Sequence, residues 1–279
     1  MPTGSFLDKH HFLLRRLHSL TGIVPVGVFL IPHLTTNSSI LWGRLNARAD
    51  AYADNAAMRG VVTFQEDVHF INGLPALLLI EITLWAAIAF HSILGVMYAR
   101  SGKANVQRYA YQDNWRYTLQ RISGYVGIFF IFYHIATLRW GWSFLVPGGT
   151  KWSHEFAAST LAACLQGSTE GMTPAGVLIS LWYFVGVTLL VFHFANGLWT
   201  AAITWGLTIS ESAQKRWGYV CSAIGAGLML AAWSSVIGFV TLSHDDARAH
   251  ELRLIEGHTQ PAESAPAHAG VPATNDHGG

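Results

Sequence analysis

Charge is what this sequence is short of. Only 12% of its 279 residues are Asp, Glu, Lys or Arg, against roughly a quarter in soluble domains. Hydrophobic residues make up 51% and aromatics 13%, and the mean hydropathy is +0.32. This excludes an ordinary soluble globule and points to a protein that sits in lipid. The net charge is +1, so no overall basicity favours a nucleic-acid partner. Cysteine is scarce as well. Cys164 and Cys221 stand far apart and no C-x-x-C-H occurs, which argues against a disulfide scaffold and against covalently attached c-type haem. The first eleven residues are largely polar, and no small-residue cleavage site follows the first apolar run. No cleaved signal peptide is expected.

Long apolar runs are what the sequence does have. A hydrocarbon core of about 30 Å needs about 20 apolar residues per helix, and five runs reach that length: about Leu13–Leu34, Leu74–Ala99, Tyr117–Leu138, Ala175–Leu207 and Tyr219–Leu242. The expected fold is therefore all-α and integral to the membrane, with residues 1–242 forming one five-helix domain. The connection of about residues 35–73 is long enough for a short helix of its own. Residues 243–279, rich in Ala, Pro, His, Asp and Glu, are expected to be mostly disordered and extracytoplasmic.

Basic residues set the orientation. With the N-terminus, the II–III loop and the IV–V loop on one side, that side holds Lys9, Arg15, Arg16, Arg100, Lys103, Arg108, Arg116, Arg121, Lys215 and Arg216, ten bases against three acids. The opposite side holds seven bases and twelve acids, and Glu81 is the one acid within a span. The positive-inside rule then places the N-terminus in the cytoplasm and the C-terminus outside.

Histidine is costly inside a bilayer, so an intramembrane histidine is a functional residue by default. Spans I to IV carry one deep histidine each: His33, His91, His134 and His193. His18, near the start of span I, is set aside as shallow. At a rise of 1.5 Å per residue, His33 and His134 lie roughly 25–30 Å from the cytoplasmic face, and His91 and His193 lie as far from the outer face. Depth thus groups His33 with His134 and His91 with His193. Two imidazoles at one level on facing helices can ligate one haem iron from both sides, and filling both axial positions suits electron transfer rather than oxygen binding.

Gly95 and Gly197 each follow a ligand candidate by four residues, on the same helix face, where a missing side chain would let a flat porphyrin approach. Spans I and III share a weaker pattern, "RRLHSLTG" and "QRISG". Arg15, Arg16 and Arg121 stand at these span starts, within reach of haem propionates.

At these residues the chain resembles a known family. "FLLRRLHSLTGIVPVGVFLIPHL", "AFHSILGVMYA", "NWRYTLQRISGYVGIFFIFYHI" and "FHFANGLWTAAITWGLT" resemble the dihaem, five-helix cytochrome b (b558-type) membrane anchors of succinate dehydrogenase and fumarate reductase. The resemblance covers spans I to IV, about residues 12 to 208. It implies that the first four helices form a bundle around two stacked b haems, with His33 and His134 on the distal haem iron and His91 and His193 on the proximal one. It implies an iron–sulfur subunit docked on the cytoplasmic face and a flavoprotein subunit beyond it, so that FAD and the iron–sulfur clusters lie in the partners and succinate is oxidised there. The remaining expected partners are membrane lipid and a quinone, with menaquinone first, and a higher oligomer of the complex is compatible. The location implied is the bacterial cytoplasmic membrane.

Related dihaem anchors place a glutamate about this far before the span II ligand, which makes Glu66 the first candidate at a quinone site near the outer face, with Asp67 and His69 next. One departure exists: some fumarate reductase anchors carry an acid two residues before the span IV ligand, where this chain has Val191. That favours the succinate dehydrogenase branch. The competing readings are a dihaem cytochrome b of another quinone-linked dehydrogenase, of the fumarate reductase, hydrogenase or formate dehydrogenase type, and a transporter or proton channel with a histidine relay. A relay would call for more intramembrane acids than Glu81 alone.

Overall fold

The computed structural model describes residues 9–101 and 112–259. Asp8, Lys103, Arg108 and the tail beyond residue 259 lie outside the described residues, within which every regular element is helical. Five stretches of 24 to 35 residues are long and apolar enough to cross a membrane: His11–Leu45, Leu77–Arg100, Asn114–Arg139, Pro174–Thr204 and Glu211–Val240, spans I to V. Their most apolar windows are only 11–28% buried, so most of their apolar surface is left for lipid.

Span I combines α1 (His11–Thr21), a π-helical turn (Gly22–Gly27) and α2 (Val28–Trp42). Pro25 sits inside the π turn. Lacking an N–H, it cannot continue the ordinary ladder, and a widened turn accommodates it. Span II is α4 (Leu77–Ser101). Span III is α5 (Gln112–His134), which runs directly into a second π turn (Ile135–Arg139). Span IV is α7 (Pro174–Thr204), started by Pro174 and by Thr173, whose Oγ1 accepts from the Gly176 N–H at 3.0 Å, a pairing suited to a helix start. Span V is α8 (Glu211–Val240), capped by Ser210. Span V is an integral part of the bundle, packed along span IV and the second half of span I, whereas span II meets mainly the first half of span I.

At the end of the bundle where spans I, III and V finish, three more helices form a cap: α3 (Ala56–Asn72), α6 (Ala157–Gln166) and α9 (His244–Thr259). The connection after span I thus holds a 17-residue helix. The cap helices pack on one another and share a core with the bundle, in which Val61 and Phe64 meet Ile40 and Phe239. Phe64 and Phe239 are edge to face at 4.9 Å. Buried amides and a carboxylate pin the pieces. Gln65 Nε2 donates to the His154 carbonyl at 2.7 Å, while its Oε1 accepts from the Ala157 N–H at 3.1 Å. Gln166 Nε2 donates to the carbonyls of Phe239 and Leu242 at the end of span V. Glu251 Oε1 accepts from the N–H groups of Ala158 and Ser159, and its Oε2 from Ser159 Oγ.

Two features correct the sequence reading. The stretch after 243 does not begin as a disordered tail, because 244–259 are helical, with Ala247, His250 and Glu251 buried. These positions recur at helical spacing, but two of the three are polar, so averaged polarity hides the face. Helix α6 had no counterpart in the sequence reading. Its ten residues are too short for a span and are buried on nearly all sides.

Candidate functional site

The deep histidines meet in two pairs. His33 on α2 and His134, the last residue of α5, bring their ring centroids to 5.7 Å at an interplanar angle of 87°. His91 on α4 and His193 on α7 approach to 6.1 Å at 81°. Metal–imidazole bonds of about 2.0–2.1 Å, added to the half-width of each ring, would put two axial imidazoles on one iron with centroids about 6 Å apart. Both pairs stand at that spacing.

The hydrogen bonds fit the same use. His91 Nδ1 lies 2.8 Å from the His18 carbonyl. A carbonyl only accepts, so Nδ1 carries the proton and Nε2 keeps its lone pair. His193 Nδ1 lies 3.1 Å from both the Gln120 carbonyl and Ser123 Oγ. Metal-binding histidines usually donate their second N–H to a carbonyl in this way. In the other pair, His134 Nδ1 is buried without a hydrogen-bond partner. Aromatic rings line that level, with Phe29 stacked on His33 at 5.1 Å and Phe130 stacked on His134 at 6.0 Å. Among the described residues no three His, Cys, Asp or Glu side chains group to hold a bare metal ion. Paired imidazoles are a different donor set, suited to a metal that arrives in its own macrocycle.

Side chains of neighbouring spans stand over both glycine candidates. A Cβ on Gly95 would meet the His18 ring at 3.2 Å, and one on Gly197 would meet Gln120 Nε2 at 3.6 Å. The glycines beneath the His91 and His193 rings are Gly22 and Gly124, on the neighbouring spans. His18, set aside as shallow, stacks on His91 at 4.0 Å. Its signal was the glycine four residues later, the spacing that had marked His91 and His193.

The basic candidates are unequal. Arg15 is exposed. Arg16 lies over Phe12 and Trp205, and Arg121 donates to the Ala99 carbonyl. Arg116, counted in the sequence only as a topology charge, reaches the His193 surroundings through a chain of hydrogen bonds. Its Nε donates to Asn196 Oδ1 at 2.9 Å, Asn196 Nδ2 donates to Gln120 Oε1 at 2.8 Å, and Gln120 Nε2 donates to the His193 carbonyl at 3.1 Å. A cavity of about 240 Å³ opens beside this chain of bonds. Glu81 is not a lone intramembrane acid. Arg139 binds it through two N–H···O contacts of 2.7 and 2.9 Å, joining spans II and III at the cap end.

The three quinone candidates share helix α3 but not one surface. Glu66 and His69 line a cap cavity of about 520 Å³ together with Gln65, Glu155 and Glu251. Gln65 Nε2 donates to His69 Nε2 at 2.9 Å. Asp67 does not line that cavity. Partial burial pushes its carboxyl pKa up, opposed by a hydrogen bond with Ser39. Cys164 takes no part in this chemistry, since burial raises its thiol pKa to about 12, leaving it inert.

No family model matches the chain. Among curated proteins it is similar to the succinate dehydrogenase cytochrome b558 subunit of Bacillus subtilis (strain 168). The two are 31% identical over 233 residues, which covers 83% of this chain and 98% of that relative.

Proposed function

The chain belongs to the succinate dehydrogenase cytochrome b558 subunit family, and from that footing we propose that it anchors its complex in the bacterial cytoplasmic membrane and conducts electrons from an iron–sulfur partner to a quinone. His91 and His193 would hold one b haem, and His33 and His134 the other. The observation that carries this is the pair of perpendicular imidazole couples, at 6.1 and 5.7 Å, at two levels of one bundle. A b haem with both axial positions filled supplies one-electron transfer with no open site for oxygen. The protein's part is to hold the imidazoles as neutral Nε2 donors, to surround them with apolar side chains, and to manage protons at the quinone.

The N-terminal end is the proposed cytoplasmic face, where the bases concentrate and where the iron–sulfur subunit would dock. The IV–V connection supports this reading, with Leu207 78% and Ile209 86% exposed just before Lys215 and Arg216, an apolar surface rimmed by charge of the kind partners cover. Succinate would be oxidised in the flavoprotein partner. The quinone, menaquinone in the first instance, would react at the cap end near the His33–His134 pair, with Glu66 handling protons and His69 beside it. Two haems spanning the bilayer are needed only if electrons cross it.

The test is haem content of the purified complex. His193→Ala should take two b haems per chain to one and leave the complex assembled, whereas four separate His→Ala variants each keeping two bis-His haems would refute the ligand set. Glu66→Gln should keep both haems and dye-linked succinate oxidation while quinone-linked activity falls about 100-fold, the scale of a lost proton-transfer group. Normal quinone activity in that variant would remove Glu66 from the mechanism.

A further inference from the structure

The short pattern common to spans I and III has a structural counterpart. It reads His18-Ser19-Leu20-Thr21-Gly22 in span I and Gln120-Arg121-Ile122-Ser123-Gly124 in span III. In each, the first residue's carbonyl faces the Nδ1 of a histidine on a neighbouring span, His18 facing His91 at 2.8 Å and Gln120 facing His193 at 3.1 Å. In each, the hydroxyl at the fourth position donates to that same carbonyl, from Thr21 Oγ1 at 3.0 Å and from Ser123 Oγ at 3.1 Å. In each, the glycine at the fifth position lies under the incoming ring. A Cβ on Gly22 would stand 2.5 Å from His91 Cε1, and one on Gly124 would stand 3.0 Å from His193 Cε1.

The geometry explains the spacing. Residues four apart lie one above the other on a helix face, so the Cε1–Nδ1 edge of the ring rests on the glycine while its Nδ1 reaches the carbonyl one turn earlier. Any larger side chain at the fifth position would push the ring off that carbonyl. The first position differs between the two copies. His18 adds a stacked ring at 4.0 Å from His91, while Gln120 sends its amide to the His193 carbonyl at 3.1 Å.

We propose that these two five-residue motifs are a matched device that positions His91 and His193 as axial ligands, the carbonyl fixing tautomer and rotation and the glycine admitting the ring. The inference rests on the assignment of those two histidines to a haem. It gives Thr21, Gly22, Ser123 and Gly124 a positioning role. It also makes the two ligand pairs chemically unlike. At the N-terminal end both Nδ1–H groups are bonded to oxygen, whereas at the cap end His134 Nδ1 is buried with no partner. Hydrogen bonding of the second nitrogen makes an imidazole a more basic ligand, so the device tunes one haem and leaves the other alone.

The experiment uses the purified whole complex and reads three properties of each haem: amount bound, ferric low-spin electron paramagnetic resonance signal, and midpoint potential. Gly22→Ala and Gly124→Ala should alter the signal and potential of one haem only, the one that His193→Ala abolishes, with Gly22→Ala the stronger because its contact is closer. Haem occupancy should weaken about 10-fold or more, the usual cost of disturbing groups that orient a metal ligand. Gly227→Ala, where a Cβ meets nothing within 4 Å, should leave both haems unchanged. Should the glycine variants fail to assemble, Ser123→Ala and Thr21→Val carry the test, since each removes one hydroxyl without adding bulk. They should shift the same haem's potential with its content retained, and Ser123→Thr should restore it. Unchanged signals and potentials in these hydroxyl variants, with His193→Ala still losing a haem, would overturn the positioning device and leave the ligands standing. Two haems retained in both His91→Ala and His193→Ala would overturn the ligand assignment itself.

Discussion

Leu78, Leu79, Phe129 and Leu178 in the spans are 65–70% exposed, while Val61 and Val62 in α3 and Ala158 in α6 are fully buried. The same residue types thus find cover in two ways. The spans leave their apolar faces for lipid, which attracts a leucine as well as another leucine does, so helix association there leans on close packing and hydrogen bonds. The cap closes a core of its own, joined internally by Gln65 and Glu251 and tied to the end of span V by Gln166, and Ile40 and Phe239 of spans I and V share that core. One end of the bundle is therefore stapled from within the chain. At the end bearing His91 and His193 the spans are joined by single hydrogen bonds, around those two rings and from Trp199 and Trp217 between spans IV and V.

The largest effect that sharpens this contrast is a pair of phenylalanine deletions. Phe64→Ala, in the core shared by cap and bundle, should cost about 3–5 kcal/mol, as expected for a buried phenylalanine, and should lower the thermal midpoint of the detergent-solubilised protein. Phe129→Ala, on a lipid-facing surface, should change stability by no more than about 0.5 kcal/mol. Equal losses from the two would mean that the spans, too, are held by internal apolar packing, and the contrast would fail.

Next in size is Glu251→Leu. The carboxylate accepts from two N–H groups at the start of α6 and from Ser159 Oγ. Removing it leaves buried donors without partners, at about 1–3 kcal/mol. The expected readout is faster amide exchange in α6 and α9 with the haem spectrum of the complex unchanged. A change in the haems with no change in exchange would show that the cap reports to the bundle rather than merely stapling it.

The bundle was legible in the sequence because lipid enforces long, uniformly apolar runs that need no tertiary partner to be read. The four deep histidines were legible because polar groups stand out against such runs. Of the cap, the helix in the connection after span I was expected, but α6 and α9 were not, for physical reasons. Helix α6 is ten residues, below any span length, and α9 buries a histidine and a glutamate on its inner face, so composition scored it as a tail. His18 was passed over on depth alone, though its glycine four residues on matched the pattern of His91 and His193. The glycines were noticed, but which ring each admits depends on helix neighbours that no one-dimensional spacing supplies. Span V, unremarkable in sequence, proves to be packed along spans I and IV.

The smallest predicted effect concerns pH and is confined to the cap. His250 is buried on α9, with Nδ1 2.8 Å from Arg253 Nη2 and Nε2 3.6 Å from Asp54 Oδ2. Burial first, and then the Arg253 charge, hold its pKa below the ordinary histidine value, while Asp54 and Asp246 pull the other way. A histidine whose folded pKa is depressed is kept neutral by the fold. It contributes stability that is fully present above its unfolded pKa of about 6.5 and is lost as pH falls through the lower folded value. Glu251 runs in the opposite sense. Desolvation raises its pKa despite the opposing hydrogen bonds from Ser159 and Ala158 and the Arg248 charge, so its contribution is present at low pH and declines as pH rises through the raised value. Acidification from neutral pH should therefore loosen α9 through His250, while protonation of Glu251 acts in the opposite sense. Tryptic cleavage after Arg248 and Arg253 is a direct readout, and it should quicken modestly as pH drops below about 6.5, after correction for the protease's own pH profile. His250→Gln, which cannot gain a proton, should flatten that response while Glu251→Gln leaves it in place. A wild-type cleavage profile that is already flat, or one that His250→Gln does not change, would show that the buried histidine does not control how firmly this helix closes the cap.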